Sequence, residues 1–398
     1  MNSIQSICAA HSTPFYLYDG ACIAQQASIL KTTFPDFSIL FSVKANPFPP
    51  VLKKMASLGI GADAASAAEV DLALSAGIPA DLIYYSAPAP TRADIQQVWG
   101  KCHIIADSFH ALSLLECEAA AAGEELAVGL RLHPNFTMDG KAQTASKFGI
   151  DEDQLWTKSD FRREYPHLRV IGLHTHIRSQ VLDATLLGKY YENVMDLAVR
   201  LQDFFGAPLD YINFGGGVGL PYDTMKQSPL DFDALRQAVS AAREKYADRL
   251  PARLLLESGR FLTCSCGTYV TEIVDIKVSH GKTYYVVKNG ANGFLKPVLR
   301  RMLEGLLPDM DGVACEPFVT EDDDYSIRVL SDDAETERVD IVGHLCTAAD
   351  VMARDIVVNK AKIGDLVTFS NAGSYAYSLA PLLFASQPKP EQVFVDRT

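Results

Sequence analysis

Short apolar runs alternate with alanine- and charge-rich stretches between residues 37 and 260. The runs are rich in β-branched and aromatic residues, as buried strands are, whereas the stretches between them have helical character, as at 64–76, 109–122 and 184–205. Eight runs share this pattern: 37–43, 59–63, 81–87, 102–108, 126–133, 168–177, 209–216 and 252–260. Near-continuous apolar strands joined by helices predict a parallel sheet that is covered on both faces.

Polar residues at the ends of these runs favour a closed (β/α)₈ barrel over an open, doubly wound sheet. The residues that end or follow the eight runs are Lys44, Asp63, Ser86, Asp107, His133, His176, Gly215 to Gly217 and Glu257. Any one of them could simply end a strand, but eight in register match the carboxyl rim where barrels place their active sites. The sequence therefore predicts a TIM-like barrel with these residues around its mouth.

After residue 266 helices become scarce and alternating strand patterns take over. These strand patterns lie at 268–279, 283–288, 325–330, 337–343 and 363–370. We expect an isolated strand at 14–19 to pair with this C-terminal sheet, and the acidic stretch 321–324 to be an exposed loop. The predicted fold is α/β, with a barrel domain over 31–262 and a β-sandwich or β-barrel domain formed by 1–30 and 263–398.

Composition narrows the class of protein and of partner. The chain has 398 residues, of which 48% are hydrophobic and 21% charged, and its net charge is −13. These values indicate a globular protein with a large core rather than a disordered or fibrous chain. An acidic surface repels nucleic acid and anionic lipid, so a small molecule is the expected partner. No apolar stretch has the length of a transmembrane helix and no signal peptide is evident, which predicts a cytoplasmic protein.

Neither the cysteines nor the histidines have the spacing of a metal site. The eight cysteines are too sparse for a disulfide scaffold. Cys264 and Cys266 would share one face of a strand, yet two thiols are not the four ligands of structural zinc. His174 and His176 also share a strand face, without a third ligand of evident spacing. We therefore expect one imidazole to stack on a cofactor ring and the other to be a packed neighbour.

A lysine and a glycine run at the rim suggest a cofactor. Lys44 lies where the first strand ends, and apolar walls there would desolvate its amine, lower its pKa and suit Schiff-base formation, although a strand-end lysine alone is more often a surface residue. The glycine-rich run 213–219 follows the seventh strand, where barrels commonly bind phosphate, although a tight turn would also explain it. Together they indicate pyridoxal 5′-phosphate (PLP). Glu257 would keep its pyridine nitrogen protonated; the alternative is a salt bridge with Arg260.

Seven motifs in combination resemble the alanine-racemase-like (fold type III) PLP enzymes, specifically the diaminopimelate and ornithine decarboxylase family. The motifs span nearly the whole chain: SVKANP (42–47), SKFGI (146–150), GLHTHIRSQ (172–180), NFGGGVGLPY (213–222), ESGR (257–260), GHLCTAAD (343–350) and NAGSY (371–375). The resemblance implies that Lys44 binds PLP as a Schiff base and that His176 stacks on its ring. Glu257 would pair with the pyridine nitrogen, and Gly215, Gly216, Gly217 and Tyr375 would hold the phosphate.

The same resemblance assigns further residues and shows two departures from the family. Arg131 would lie near the phenolic oxygen of PLP, Arg260 near the phosphate or a substrate carboxylate, and Cys346 would enter from the neighbouring subunit of a head-to-tail homodimer. Thr347 stands where the family carries a carboxylate for the far ammonium of the substrate, a charge-assisted hydrogen bond of about 1.5–3 kcal/mol. Arg178 replaces the usual glycine and suits a carboxylate. An acidic substrate tail is therefore expected.

The chain is similar to a subgroup of this family that acts on amino acids conjugated to a carrier or to citrate. The similarity lies in the segments CTAAD, AGSYAYSL, FASQPKP and KNGANGFLKP. The resemblance implies a PLP-dependent carboxy-lyase of citryl-diaminopropionate or of a citryl-serine type ester in carboxylate siderophore biosynthesis. The alternative is meso-diaminopimelate decarboxylase of lysine biosynthesis. A racemase fits less well, since related racemases place Arg at the pyridine nitrogen. A non-catalytic homologue also fits less well, because Lys44, Glu257 and Cys346 are retained.

Overall fold

The structure, a computed structural model, describes residues 4–8, 10–138, 144–223, 225–306, 317–318 and 325–396. The acidic stretch 321–324 lies outside these residues. The strands are β1 (Phe15–Asp19), β2 (Phe37–Ser42), β3 (Gly61–Ala64), β4 (Ile83–Tyr85), β5 (His103–Ala106), β6 (Leu126–His133), β7 (Ile150–Asp151), β8 (Leu168–His174), β9 (Tyr211–Asn213), β10 (Arg253–Ser258), β11 (Gly267–Ser279), β12 (Lys282–Val287), β13 (Ile327–Leu330), β14 (Thr336–Gly343), β15 (Val351–Asn359), β16 (Leu366–Phe369) and β17 (Glu391–Val395).

The α-helices are α1 (Ile4–Cys8), α2 (Gly20–Thr33), α3 (Pro49–Ser57), α4 (Ala67–Ser75), α5 (Arg92–Val98), α6 (Phe109–Ala122), α7 (Glu152–Trp156), α8 (Phe161–Glu164), α9 (Ala184–Phe205), α10 (Phe232–Tyr246), α11 (Arg260–Thr263) and α12 (Leu295–Leu306). Two of the predicted helical stretches, 109–122 and 184–205, match α6 and α9 residue for residue. Ser108 and Asp183 accept hydrogen bonds from first-turn amides of these helices, and Gly123 and Gly206 end them in the left-handed conformation.

Eight strands close into a parallel barrel, as predicted. The order around the barrel is β2, β3, β4, β5, β6, β8, β9 and β10, and β10 pairs with β2 to complete the ring. Because all eight strands run in the same direction, their carboxyl ends form one rim. The short β7 pairs with β6.

Large side chains fill the barrel interior. Tyr211 on β9 is fully buried there, and a Cβ added to Gly129 on β6 or to Gly172 on β8 would lie 2.1 Å from its side chain. Both positions therefore need glycine, because the tyrosine ring occupies the space that a larger residue would take. The interior cluster consists of Leu40, Tyr84, Ile105, Ile171, Tyr211 and Leu255.

A mixed sheet forms the second part of the fold. Its long strand β11 pairs with β1, β12 and β16, and β14 lies between β12 and β15. The predicted pairing of 14–19 with the C-terminal sheet is confirmed, since β1 pairs with both β11 and β17. The predicted strand position of Cys264 and Cys266 is wrong: both lie in a 3₁₀ turn before β11.

The chain divides into two compact units. The barrel unit is Ala24–Leu220 with Ser228–Phe261, and the mixed-sheet unit is Met1–Ile23, Pro221–Gln227 and Leu262–Thr398. The predicted domain limits, 31–262 for the barrel and 1–30 with 263–398 for the β domain, stay a prediction. Among the described residues, no helix combines the length and apolarity needed to cross a membrane, and no three His, Cys, Asp or Glu side chains are grouped to hold a metal.

Candidate active site

Lys44, Asp63 and Ser86 meet at the carboxyl ends of neighbouring barrel strands. Lys44 lies in a 3₁₀ turn, Val43–Ala45, that follows β2 directly. The Asp63 carboxylate accepts hydrogen bonds from Lys44 Nζ at 3.3 Å and from Ser86 Oγ at 2.8 Å. Because Asp63 is fully buried, these two donors compensate a carboxylate that water does not reach. The amine is thus held at the rim of the barrel.

The surroundings of Lys44 differ from the expectation in one respect. Its side chain is 47% exposed, so the expected desolvation by apolar walls is wrong for the single chain. The reason is local: the 3₁₀ turn carries Lys44 beyond the end of β2, where the Asp63 carboxylate lies beside the amine.

Glu257 is the centre of a second cluster, formed by the ends of β8, β9 and β10. Its Oε1 accepts a hydrogen bond from Asn213 Nδ2 at 2.9 Å and lies 3.1 Å from His174 Nε2. Burial alone would raise the pKa of Glu257, but His174, Lys44 and His176 together hold that pKa well below its usual range. Glu257 is therefore a buried, ionised carboxylate at the rim.

The contact of His174 with Glu257 was missed by sequence reasoning, which treated one of the two histidines as a packed neighbour. Strand register places His174 opposite Asn213 on β9, and Asn213 opposite Leu255 on β10. The available signal was a polar residue near the carboxyl end of each of three consecutive strands. In a parallel sheet such residues meet at one edge.

His176 follows β8 and faces the glycine run. Its Nδ1 accepts a hydrogen bond from Gly216 N at 3.1 Å, so the ring proton lies on Nε2, which is 3.4 Å from Ser179 Oγ. Burial lowers the pKa of His176 to about 3, and the positive charges of Arg131 and Lys44 act in the same direction. The imidazole is therefore neutral at physiological pH.

The glycine run forms a backbone cradle beside this ring. A Cβ at Gly215, whose φ is +66°, would lie 2.4 Å from Thr175 O. The amides of Gly215 and Gly216 donate to Asn213 and His176, whereas the amide of buried Gly217 has no hydrogen-bond partner in the described part of the chain. A buried amide without a partner is costly, so the Gly217 N–H is free for an external acceptor.

Arg131 points from β6 into a third cluster at the rim. Its Nη1 lies 3.5 Å from Asp107 Oδ1, and its guanidinium stacks on the Phe148 ring, 4.7 Å from the centroid. Gly149 N donates to Asp107 at 3.1 Å. Burial raises the pKa of Asp107, while Arg131 and the Gly149 amide oppose that shift. The segment SKFGI is thereby tied to β5 and β6.

The remaining predicted residues lie in both units. Arg260 is buried at the start of α11, and Arg178 is exposed on the loop after β8. Tyr375, Cys346 and Thr347 belong to the mixed-sheet unit, where Tyr375 has a left-handed φ of +52° and the other two residues are exposed. The roles of these five residues, like those of the other site residues, stay predictions.

The barrel also carries the sequence signature of a known family. Residues 21–264 match the profile of the pyridoxal-binding domain of the pyridoxal-dependent decarboxylases. The chain belongs to this family. The resemblance inferred from the motifs is confirmed, and PLP is the cofactor.

Relatives of this decarboxylase differ in the substrates that their names state. It is 30% identical to the L-glutamyl-[BtrI acyl-carrier protein] decarboxylase of Niallia circulans, covering 98% of this chain and 90% of that protein. It is 27% identical to the 2-[(L-alanin-3-ylcarbamoyl)methyl]-2-hydroxybutanedioate decarboxylase of Staphylococcus aureus, covering 98% and 96%. A solved diaminopimelate decarboxylase variant from Helicobacter pylori, complexed with L-lysine, superposes with a TM-score of 0.84 at 25% identity, covering 99% and 94%.

The residues of the decarboxylase rim fit PLP. Lys44 supplies an amine for an aldehyde, and Glu257 supplies an ionised carboxylate for a pyridinium nitrogen. The neutral ring of His176 can lie flat against an aromatic ring, and the Gly217 amide can donate to a phosphate oxygen.

The low pKa of His176 has a consequence for stability. Below pH 6.5 the unfolded decarboxylase binds a proton at this residue that the folded enzyme does not bind until about pH 3, so the free energy of unfolding falls as the pH falls through this window. Between pH 7 and pH 5 the loss is about 2 kcal/mol, a few degrees in Tm. We expect His176→Asn holoenzyme to lose less Tm over this interval than wild type in thermal unfolding. His110→Asn, at an exposed position, is the control; equal losses in all three proteins would contradict the assignment.

Proposed function

We propose that the chain decarboxylates an α-amino acid whose side chain is conjugated to citrate, of the citryl-diaminopropionate or citryl-serine type, in carboxylate siderophore biosynthesis. The observation that carries this proposal is Arg178. Its side chain is exposed and has no hydrogen bond or ion pair with the described residues. An unpaired guanidinium beside an active site suits a substrate that brings its own carboxylates.

Backbone contacts support the position of Arg178 near the cofactor cradle. Its carbonyl oxygen lies 3.3 Å from the place of a Cβ on Gly217. Val181 N donates to Gly217 O at 2.8 Å, and Val181 forms a parallel bridge with Val218. The loop that carries Arg178 therefore runs alongside the glycine run, next to the proposed phosphate site.

The names of two relatives support the same substrate class. The Staphylococcus aureus relative is named for an alanine unit joined through a carbamoylmethyl group to 2-hydroxybutanedioate, which is a citryl-type tail. The Niallia circulans relative is named for a glutamyl group on an acyl-carrier protein. The first name places the citryl-type tail on the alanine side chain, and the second joins the glutamyl group to a carrier protein, so neither name is that of a free diamine.

Several residues at the rim would each have a separate role in such a reaction. Bound PLP supplies an electron sink when carbon dioxide leaves the substrate. Asp63 holds the Lys44 amine at the rim, and the ionised Glu257 keeps a proton on the pyridine nitrogen. His176 would lie against one face of the ring and keep water from it. A proton then goes to the substrate Cα from Lys44 Nζ or Cys346 Sγ.

The proposal includes a homodimer with shared active sites. Cys346 and Thr347 are exposed on one loop of the mixed-sheet unit, and they would enter the site of the neighbouring subunit. Thr347 cannot bind a distant ammonium as a carboxylate would. This is the reason to prefer a conjugated substrate over the alternative, meso-diaminopimelate, for which several relatives are named.

Neutralising Arg178 tests the substrate assignment. We expect Arg178→Gln to lower kcat/KM for citryl-diaminopropionate or the citryl-serine ester about tenfold to hundredfold, since it removes a charge-assisted bidentate contact. Carbon dioxide release would be measured against a panel that also contains diaminopimelate, ornithine and arginine. Arg163→Gln is the matched control, because Arg163 is an exposed arginine on α8 of the same unit.

Two results would overturn the substrate assignment. One is a panel in which diaminopimelate is the best substrate of the wild-type enzyme. The other is an Arg178→Gln enzyme that turns over the citryl-amino acid as well as the Arg163→Gln control does.

A further inference from the structure

Two loops of the mixed-sheet unit begin at the carboxyl ends of neighbouring parallel strands. Strands β12 and β14 pair in parallel, with Val287 opposite Gly343. Residues 288–293 follow β12 and are called here the Ala291 loop. Residues 344–349 follow β14 and are called the Cys346 loop, since they carry Cys346 with Thr347 beside it. Both loops therefore leave the sheet side by side.

The carboxylate of Asp350 lies between these two loops. Asp350 is only 2% exposed. Its Oδ1 accepts a hydrogen bond from Ala291 N at 2.6 Å, and its Oδ2 accepts one from Leu345 N at 3.0 Å. Each oxygen thus binds the backbone of a different loop.

The backbone around this carboxylate has no spare room. A Cβ at Gly290 would lie 2.2 Å from Asp350 Oδ1, and a Cβ at Gly343 would lie 2.0 Å from Oδ2. Gly343 N donates to Asp350 O at 2.9 Å, and Asp350 N donates to Thr347 O at 3.3 Å. The two glycines let the chain approach the carboxylate, and the backbone bonds close the Cys346 loop at both ends.

We propose that Asp350 is a positioning residue that fixes the Cys346 loop against the Ala291 loop by accepting from one backbone amide of each, and so sets the place of Cys346 for the reaction. A carboxylate is needed because both of its oxygens accept. An asparagine would turn an N–H₂ group toward one of the two N–H donors and leave that donor without an acceptor. The effect on turnover rests on the proposed function; the effect on the loops does not.

Amide hydrogen exchange of the PLP-loaded wild-type enzyme tests the contacts directly. We expect the amides of Leu345 and Ala291 to exchange at least about tenfold more slowly than that of Ala348, which lies on the same loop and has no hydrogen-bond partner among the described residues. Equal exchange rates at the three amides would overturn the proposal without the use of any variant.

The variant Asp350→Asn should speed exchange in both loops. The matched control is Asp340→Asn, since Asp340 is a buried aspartate on β14 that accepts from Asp355 N at 2.8 Å and pairs with Lys282 at 2.9 Å. The control should leave exchange in the Ala291 and Cys346 loops unchanged. Faster exchange of those loops in the control, to the same extent, would show a general loss of stability and overturn the assignment to Asp350.

Kinetics separate positioning from mere stability. With the substrate that the wild type decarboxylates best, we expect Asp350→Asn to lower kcat about tenfold to hundredfold, with KM within about threefold and the PLP absorbance unchanged. Because Asp350 acts through Cys346, the double variant Cys346→Ala/Asp350→Asn should be no more than about threefold slower than Cys346→Ala alone. Additive losses, or a wild-type kcat in Asp350→Asn, would overturn the proposal. If the wild type decarboxylates no member of the panel, the proposed function fails and the exchange measurement still decides the role of Asp350.

Discussion

Lys44→Ala should abolish the absorbance of the covalent lysine–PLP bond at about 420 nm, and it should lower the decarboxylase activity by a factor of at least about a thousand. The structure gives the reason: Lys44 Nζ lies at the carboxyl rim of the barrel, 3.3 Å from the buried carboxylate of Asp63. The turn that carries Lys44 follows β2, which pairs with the strand that carries Glu257. The measurement is an absorbance spectrum of the PLP-loaded protein, followed by carbon dioxide release.

The control for this experiment is Lys147→Ala. Lys147 is an exposed lysine of the same unit, 4.9 Å from the centre of the Phe148 ring. We expect this variant to keep the absorbance and the activity. Retained absorbance in Lys44→Ala would remove Lys44 from the role assigned to it.

Glu257→Gln should lower kcat about a hundredfold to a thousandfold while the lysine–PLP absorbance persists. The amide cannot hold a proton on the pyridine nitrogen as an ionised carboxylate does, so the ring accepts electrons less readily. Because the pKa of Glu257 is held well below its usual range, the carboxylate is ionised at both pH 6 and pH 8. The loss in Glu257→Gln should therefore be the same at pH 6 and at pH 8.

A second buried glutamate distinguishes this effect from lost stability. Glu152 is buried in the same unit, accepts hydrogen bonds from Asn135 N and Trp156 Nε1, and pairs with Arg200. Glu152→Gln should lower Tm and leave kcat within about twofold of wild type. If Glu257→Gln kept full turnover, or if Glu152→Gln lost as much, the pairing of Glu257 with the cofactor would be contradicted.

Much of the barrel was predictable because local signals and the global fold agree. Helices α6 and α9 have a polar cap before their first turn and a glycine after their last, so their limits can be read from Ser108, Gly123, Asp183 and Gly206. The eight apolar runs became strands, and the residues at their ends share one rim. Strand β15 was not predicted. Asp355 has a left-handed φ of +57° within it, and the register with β14 shifts, so the alternation of apolar and polar residues is broken there.

The site was predictable in its members and less so in its contacts. Lys44, His176 and Glu257 could be chosen because each follows or ends a strand, yet which strands are neighbours depends on closure of the barrel. For that reason the contacts of Asp63 with Lys44 and of His174 with Glu257 had to come from the structure. The exposure of Lys44 depends on a three-residue turn that no periodicity reveals.

Borohydride reduction of the PLP-loaded enzyme, followed by peptide mass spectrometry, tests the central claim most directly. Reduction makes the bond between lysine and cofactor permanent, so the modified lysine can be identified. The account predicts a single phosphopyridoxyl group on the peptide that contains Lys44. A phosphopyridoxyl group on any other lysine, or an unmodified protein, would contradict it.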